Sequence, residues 1–174
     1  MTMASSSSFD GSALKKYDVF ISFRGDDTRA GFTSHLHAAL CRSNFHTYID
    51  YRIEKGDEVS AELMKAINES TLFLVVFSEN YASSTWCLNE LLQIMECSSN
   101  KTEDDNVIVI PVFYHVDPSH VRKQTGSYGI ALAKHNDDKM LRNWKNALFE
   151  AANLSGFHST AYRFSPLSNT IFLY

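Results

Sequence analysis

The sequence is poor in the features that mark several protein classes. Its 174 residues include only three cysteines, Cys41, Cys87 and Cys97, and no two of them form a CxxC pair. An odd number without that spacing argues against a disulfide framework or a zinc site and favours a reducing compartment. No apolar run reaches the roughly 18 residues of a membrane span. We therefore expect a protein of the cytoplasm, with the nucleus as a second location, that binds no metal and does not cross a membrane.

Positive charge is also scarce. Sixteen Lys and Arg residues stand against 20 Asp and Glu residues, which gives a formal net charge of -4. Because phosphate backbones and anionic membranes attract basic surfaces, this balance disfavours a general binder of nucleic acid or membranes, and only a local basic patch stays open. The length and the 44% of hydrophobic residues suit one domain with a substantial core.

What is present is an alternation of apolar strands and amphipathic helices. The predicted strands lie at 17–23, 45–50 and 71–77, and a fourth begins at 107–110. The third of them is continuously apolar, as expected for a strand that is covered on both faces. The alternation predicts an α/β domain with a flavodoxin-like three-layer architecture, in which five parallel strands follow the order 2-1-3-4-5.

Helix starts are indicated by single residues. Residues 24–29 are predicted to form a polar turn, with Thr28 as the N-cap of the first helix. Either Ser84 or Thr85 can cap the third helix, because both side chains accept hydrogen bonds from backbone N–H groups. Pro118 is expected to begin a short helix, since proline suits the first helical position.

Further boundaries follow from proline, glycine and composition. Pro111 inside the fourth strand predicts a bulge or a position whose N–H is unpaired. A late helix is expected to end near Gly156. The Ser-rich residues 1–14 are predicted to form a disordered arm. The domain proper is predicted at 15–157, followed by an irregular tail at 158–174.

The stretch from Trp86 to Leu91 carries the strongest hint of function. In a sheet of this order, ligands bind beyond the carboxyl ends of the first and third strands. Glu90 lies four residues after Trp86 near the start of a helix, so both are on nearly the same face. The predicted apolar stripe of that helix consists of Leu88, Leu91, Leu92 and Met95. Glu90 is predicted to point away from that stripe. A solvated glutamate and a packing tryptophan are the plain structural alternatives.

Five stretches of the chain carry a family resemblance. They are YDVFISFRGDDTR (17–29), FTSHL (32–36), DYRIEKGDEVSAEL (50–63), SENYASSTWCLNEL (78–91) and IPVFYHVDPSHVRKQTGSYG (110–129). With them the chain resembles a plant-type TIR (Toll/interleukin-1 receptor) domain, as found alone or at the front of intracellular immune receptors. The resemblance implies the same five-stranded fold and a signalling role in innate immunity.

The resemblance also implies an activity. Many plant members of this family cleave NAD at the nicotinamide–ribose bond and release ADP-ribose-type signals when they self-assemble. NAD is then the substrate, with NADP as an alternative, and no cofactor is implied. Glu90 falls on the family's catalytic acid. The positions that match substrate-binding residues are Phe23, Arg24, Gly25, Arg29, Asp50, Ser84 and Trp86. Cys87 falls on a position tied to the synthesis of 2′,3′-cyclic nucleotides from nucleic acid, a side activity of some members.

Most of these residues also have a plain structural interpretation. Phe23 suits a core position, Cys87 a small buried filler, and Arg29 a solvated charge at a helix start. Asp50 suits a strand-end acid and Ser84 a helix N-cap. The residues alone leave these alternatives open.

The resemblance predicts partners as well. Ser34 and His35 match the pair through which plant members join by their first helix, and a half-buried helix histidine is the plain alternative for His35. Residues 51–57 resemble a mobile loop that gates the site, with Glu54 where some relatives carry Arg. Residues 157–174 depart from the charged last helix of relatives, which supports their self-contacts. Other TIR domains in a homo-oligomer are thus the expected partners, and a non-catalytic TIR adaptor is the second hypothesis.

Overall fold

A computed structural model describes residues 16–50, 60–100 and 107–159. Its five strands all run parallel in one sheet of order β2-β1-β3-β4-β5, which confirms the predicted topology. The strands are β1 (Tyr17–Phe23), β2 (Thr47–Ile49), β3 (Ser70–Phe77), β4 (Ile108–Phe113) and β5 (Phe157–His158). The α-helices are α1 (Gly25–Thr28), α2 (Ser34–Arg42), α3 (Ala61–Asn68), α4 (Thr85–Ser99), α5 (Pro118–Lys123), α6 (Gly126–Leu132) and α7 (Asp138–Asn153). A π-helix (Arg29–Thr33) joins α1 to α2, and a 3₁₀-helix (Tyr81–Ser83) precedes α4. The predicted arm 1–14, the loop 51–57 and most of the predicted tail lie outside the described residues.

The sheet separates two hydrophobic clusters. Alternate residues of β1 and β3 point to opposite faces, as the pleat of a strand requires. The larger cluster joins one face of the sheet to α3, α4, α6 and α7, and its strand residues include Phe20, Phe73, Val75 and Phe77. The smaller cluster joins the other face to α2 and the π-helix, and it includes Val19, Ile21, Phe23, Leu74 and Val76. Both faces of β1 and β3 are therefore covered, which explains why these strands are so uniformly apolar.

Side chains cap four of the described helices. Ser84 caps α4 by accepting a hydrogen bond from the Cys87 N–H at 3.1 Å, as predicted. Asp117 caps α5 by accepting from the Ser119 N–H at 2.7 Å, and Pro118 begins that helix as predicted. Ser60 and Asp137 cap α3 and α7 in the same way.

The segment after β1 is helical, so the predicted turn at 24–29 is wrong. Helix α1 begins at Gly25. Thr28 precedes the π-helix at its N-cap position, but its hydroxyl makes no capping hydrogen bond and donates instead to the Arg24 carbonyl at 3.3 Å. Asp26 and Asp27 occupy the first turn of α1, where the helix dipole favours acidic residues, and no proline interrupts the segment. The chain thus passes from β1 almost directly into helix, and the π-helix connects α1 to α2.

Pro111 lies in an unbroken strand. The pairing of β4 with β3 keeps one register through Val75 and Pro111, so no bulge forms. The Phe113 carbonyl accepts a hydrogen bond from the Ser159 N–H, so the backbone groups of Phe113 face β5. Pro111, two residues earlier, faces the same side, where β5 begins only opposite Val112. The missing N–H therefore costs no ladder hydrogen bond, and the unpaired alternative is confirmed.

Helix α6 and the position of the fifth strand were also not predicted from the sequence, and one helix ends earlier than predicted. Helix α6 and strand β5 are both short, and β5 crosses the predicted boundary between 157 and 158. Helix α7 ends at Asn153 and not near Gly156. Gly156 serves another purpose, because a Cβ atom there would meet the Pro111 carbonyl oxygen and ring. The glycine lets β5 approach β4 closely.

Gly156→Ala is expected to lower the free energy of unfolding by about 1–3 kcal/mol, since the methyl group forces two backbone segments apart. The matched control is Gly31→Ala, because a Cβ atom at Gly31 meets nothing within 4 Å. That change should be neutral or stabilise by up to about 1 kcal/mol, given alanine's higher helix propensity. Urea denaturation of both variants measures the difference. Equal stabilities would contradict the close approach.

Candidate functional site

A small cleft lies at the carboxyl ends of the central strands. It is lined by Ile21, Phe23, Gly25, Arg29, Asp50, Trp86 and Glu90. These residues come from the end of β1, the start of the following helical segment, the end of β2 and the first turns of α4. The cleft therefore occupies the switch point between β1 and β3, where doubly wound folds place their ligands. Six residues singled out in the sequence converge there: Phe23, Gly25, Arg29, Asp50, Trp86 and Glu90.

Glu90 is buried, with 3% of its surface exposed. The prediction that it points away from the buried stripe of its helix is wrong. The buried residues of α4 are Cys87, Leu88, Glu90, Leu91, Ile94 and Met95. Three members of the predicted stripe are therefore buried as expected, whereas Leu92 is only half-buried. The prediction counted Leu92 in the stripe and left out Cys87 and Ile94, so the assumed face was rotated away from Glu90. A solvated helix-start glutamate is thereby excluded.

A hydrogen-bonded chain compensates the burial of this carboxyl group. The Ser22 hydroxyl donates to Oε2 of Glu90 at 2.8 Å. The same Ser22 oxygen lies 2.9 Å from the Tyr81 hydroxyl, which in turn donates to the Cys87 carbonyl at 3.1 Å. Buried polar groups need such partners, because an unpaired one costs several kcal/mol, on the order of 2–7, when it leaves water.

The Tyr81 hydroxyl stays protonated in this setting. Burial raises the pKa of Tyr81 well above its ordinary value, and the nearby Cys87 and Glu90 raise it further, whereas the hydrogen bond with Ser22 lowers it. Sequence reasoning missed both Tyr81 and Ser22. A signal for Ser22 was available, since it is a polar residue between Ile21 and Phe23 in a buried strand.

Gly25 and Arg29 form another wall of the cleft. The Arg29 guanidinium carbon lies 5.8 Å from the centre of the Phe23 ring, a cation–π distance. A Cβ atom at Gly25 would collide with that guanidinium group. Glycine is thus required at this position for Arg29 to lie across the end of β1.

Three matched positions do not line the cleft. The Arg24 guanidinium forms an ion pair with Asp26 at 3.1 Å. Ser84 is buried as the N-cap of α4. The Cys87 thiol is buried and donates to the Phe23 carbonyl at 3.6 Å, so it links α4 to the end of β1. Substrate contacts of Arg24 and Ser84 stay predictions, as does the link of Cys87 to a cyclic-nucleotide activity.

Ser34 and His35 lie apart from the cleft on the first turn of α2. Both are exposed, so the half-buried alternative for His35 is wrong. The Ser34 hydroxyl donates to the Arg29 carbonyl, five residues earlier, across the π-turn. The surface predicted for self-association is therefore accessible, and it is joined to a cleft residue through one hydrogen bond.

The cleft is narrow and carries a mixed charge. Its volume of about 20 Å³ holds roughly one water molecule. Its lining contains two carboxylates, on Asp50 and Glu90, and one guanidinium group, on Arg29. A nucleotide requires more room than this, so the half-buried side chains of Arg29 and Trp86 must move to admit one.

Other features of the described residues point to no second site of the predicted kind. A larger groove of about 680 Å³ lies between α4 and α7, and none of the predicted site residues lines it. The described part of the chain holds no group of three or more His, Cys, Asp or Glu side chains placed to bind a metal ion. No described helix combines the length and hydrophobicity of a bilayer crossing.

The sequence matches a known protein family and is similar to known proteins. The TIR domain family matches residues 16–166. The disease resistance protein RPV1 of Vitis rotundifolia is 49% identical over 98% of this chain. The TMV resistance protein N of Nicotiana glutinosa is 51% identical over 88% of it. The chain covers 13% of the length of each of these two relatives.

A solved structure agrees with the fold. The TIR domains in the structure of the activated Roq1 resistosome, which directly recognizes the pathogen effector XopQ, are 49% identical to this chain. The two superpose with a TM-score of 0.75, over 82% of this chain and 87% of the other.

Two buried tyrosines make the stability of the fold sensitive to alkaline pH. Burial raises the pKa of Tyr81 and of Tyr128 well above the ordinary value. Above about pH 10 the unfolded chain has released protons that the folded state still binds, so the free energy of unfolding should fall with rising pH. Urea denaturation at pH 8 and pH 11 measures the loss. The Tyr81→Phe/Tyr128→Phe double variant should lose less than the half-buried control Tyr114→Phe. An equal loss in both would refute the assignment.

Proposed function

Because the chain belongs to the TIR domain family, we propose that it hydrolyses NAD at the nicotinamide–ribose bond and acts in plant innate immune signalling. One observation carries the proposal. A glutamate is held in a hydrogen-bonded, nearly dry position where the sheet opens between β1 and β3. Such a carboxyl group is costly to bury, and a merely structural role would be met by an apolar residue.

Glu90 stabilises the charge that develops on the ribose. As the glycosidic bond breaks, nicotinamide leaves with the bonding electrons as a neutral ring, and an oxocarbenium-like cation forms on the sugar. A water molecule then adds to the anomeric carbon and loses a proton, so NAD and water give nicotinamide, ADP-ribose and a proton. Since the leaving group needs no protonation, one carboxylate suffices, unlike the pair of an ordinary glycosidase.

The other cleft residues suit the nicotinamide, ribose and phosphate groups of NAD. Asp50 and Glu90 outnumber the single cation, Arg29, and so favour a positively charged ring over the cleft. Trp86 lies one helical turn before Glu90, where its indole face contacts the nicotinamide ring or the sugar cation. Arg29 is the cleft's partner for a phosphate of the dinucleotide.

The closed cleft supports a requirement for activation. Its present volume admits about one water molecule, so turnover needs an open conformation. We assign the opening to self-association through the exposed first turn of α2, at Ser34 and His35. The chain covers only 13% of the length of RPV1 or N, so the products and the immune context are part of the proposal.

The second candidate function is a TIR adaptor that binds other TIR domains without catalysis. The observation in its favour is the same closed cleft together with the exposed α2 surface. A binding module needs the surface and not the cleft. The two functions separate on a single point, which is whether Glu90 is needed for nicotinamide release.

Glu90→Gln is expected to reduce nicotinamide release from NAD by at least about 100-fold, since an amide cannot stabilise the sugar cation as a carboxylate does. The amide oxygen still accepts the Ser22 hydrogen bond, so the variant should remain folded. Chromatographic analysis of nicotinamide and ADP-ribose at high protein concentration measures the rate.

The matched control for this change is Glu96→Gln, which alters an exposed glutamate on the same helix. It should retain the wild-type rate. Unchanged turnover in Glu90→Gln would overturn the catalytic assignment and favour the adaptor.

His35→Ala is expected to weaken association and to lower the rate most strongly at low protein concentration. In the wild type the rate should climb faster than linearly with concentration. The Ser34→Ala/His35→Ala double variant should show a larger effect, because Ser34 also donates to the Arg29 carbonyl. Sedimentation velocity measures association beside the rate. Identical sedimentation of wild type and double variant would count against this surface.

A further inference from the structure

We infer that Ser22 and Tyr81 position the carboxyl group of Glu90 for the reaction, as a pair of which only Ser22 touches it. The inference rests on the proposed function. Ser22 lies on β1 and is fully buried, and Tyr81 lies in the 3₁₀-helix before α4 and is also fully buried. With Glu90 on α4, the three side chains belong to three separate elements, and of the three only Glu90 lines the cleft.

The contacts form an ordered chain. Ser22 donates its single hydroxyl proton to Oε2 of Glu90 at 2.8 Å. Its oxygen is then free to accept from the Tyr81 hydroxyl, 2.9 Å away. Tyr81 has one proton for two acceptors, the Ser22 oxygen and the Cys87 carbonyl at 3.1 Å. The position of the Tyr81 proton therefore affects how strongly Ser22 donates to Glu90, because hydrogen bonds in a chain polarise one another.

Contacts of both the ring and the hydroxyl group hold the Tyr81 side chain in position. The Phe77 ring packs edge-on against the Tyr81 ring, with centroids 5.1 Å apart. The hydroxyl reaches back to Cys87, in the first turn of the helix that carries Glu90. Tyr81 consequently contacts the end of β3, the start of α4 and the Ser22 hydroxyl. Through these contacts it fixes the distance between the backbone of α4 and the Ser22 hydroxyl, which the Glu90 side chain bridges.

Tyr128 provides a matched comparison within the same molecule. It is also fully buried, its pKa is also raised by burial, and its hydroxyl donates to the Ser78 carbonyl at 2.9 Å. This hydrogen bond involves neither Ser22 nor Glu90. The variants Tyr81→Phe and Tyr128→Phe each remove one buried hydroxyl that bonds a carbonyl, but only the first removes the support of Ser22.

A positioning role predicts a particular kinetic pattern. Loosening Glu90 displaces the carboxylate from the sugar cation and leaves the remaining substrate contacts in place. Ser22→Ala and Tyr81→Phe should therefore lower kcat by roughly 10- to 100-fold with little change in KM for NAD. The controls Tyr128→Phe and Ser70→Ala should retain kcat; Ser70 is likewise fully buried, with its hydroxyl on the Ala66 carbonyl at 2.6 Å.

The double variant tests the order of the chain. Since the hydrogen-bonded chain passes from Tyr81 to Glu90 through Ser22, adding Tyr81→Phe to Ser22→Ala should cause little further loss of kcat. Independent, multiplying losses would overturn the inference. Wild-type kcat in both single variants, beside an inactive Glu90→Gln, would also overturn it and leave the proposed function standing.

A second measurement does not depend on activity. In protein labelled with carbon-13 at the glutamate side-chain carboxyl, Ser22→Ala and Tyr81→Phe should shift the Glu90 resonance, identified by its loss in Glu90→Gln. Tyr128→Phe should leave that resonance in place. The inference fails if Tyr81→Phe and Tyr128→Phe have the same effect on it, whether or not NAD is turned over.

Discussion

The structure around the cleft depends on the compensation of one buried carboxyl group. A carboxylate at the sheet's edge is unfavourable unless hydrogen-bond donors replace water around it. The Ser22 hydroxyl supplies such a donor from β1, and the Ser84 cap fixes the start of the helix that carries Glu90. The distance between strand β1 and helix α4 is therefore fixed by these contacts. That distance also sets the positions of the residues that line the cleft.

The pleat of β1 explains why one strand serves both the compensation and the cleft. Ser22 faces the side of the sheet covered by α4, whereas Ile21 and Phe23 belong to the cluster on the other face. The cleft opens where the strand ends and both faces become accessible from the same direction. A one-residue shift of register would exchange these roles and bury Ile21 against the carboxyl group.

Sequence reasoning reached the fold and most of the cleft, because both follow from periodicity and chain order. The apolar strands, the helix cap at Ser84 and the helix start at Pro118 are local signals, and the order of strands places the ends of β1 and β3 side by side. Longer-range facts were out of reach. The burial of Glu90 depends on the rotation of α4 against the sheet, and the role of Tyr81 depends on contacts 59 residues apart in sequence. The π-turn was missed because helix periodicity assumes a regular helix.

That π-turn connects the two parts of the proposed function. A π-turn holds one more residue than an α-helical turn, and it sits between Arg29, which lines the cleft, and Ser34, which faces solvent. The Ser34 hydroxyl donates to the Arg29 carbonyl, and Thr33 and Thr28 bond to each other inside the same turn at 2.8 Å. A partner that packs on the first turn of α2 therefore contacts a segment whose other end carries the guanidinium group across the cleft. The same guanidinium group lies close over Gly25, where a Cβ atom would collide with it. The surface proposed for association and the cleft are thus joined by the five residues of the π-helix.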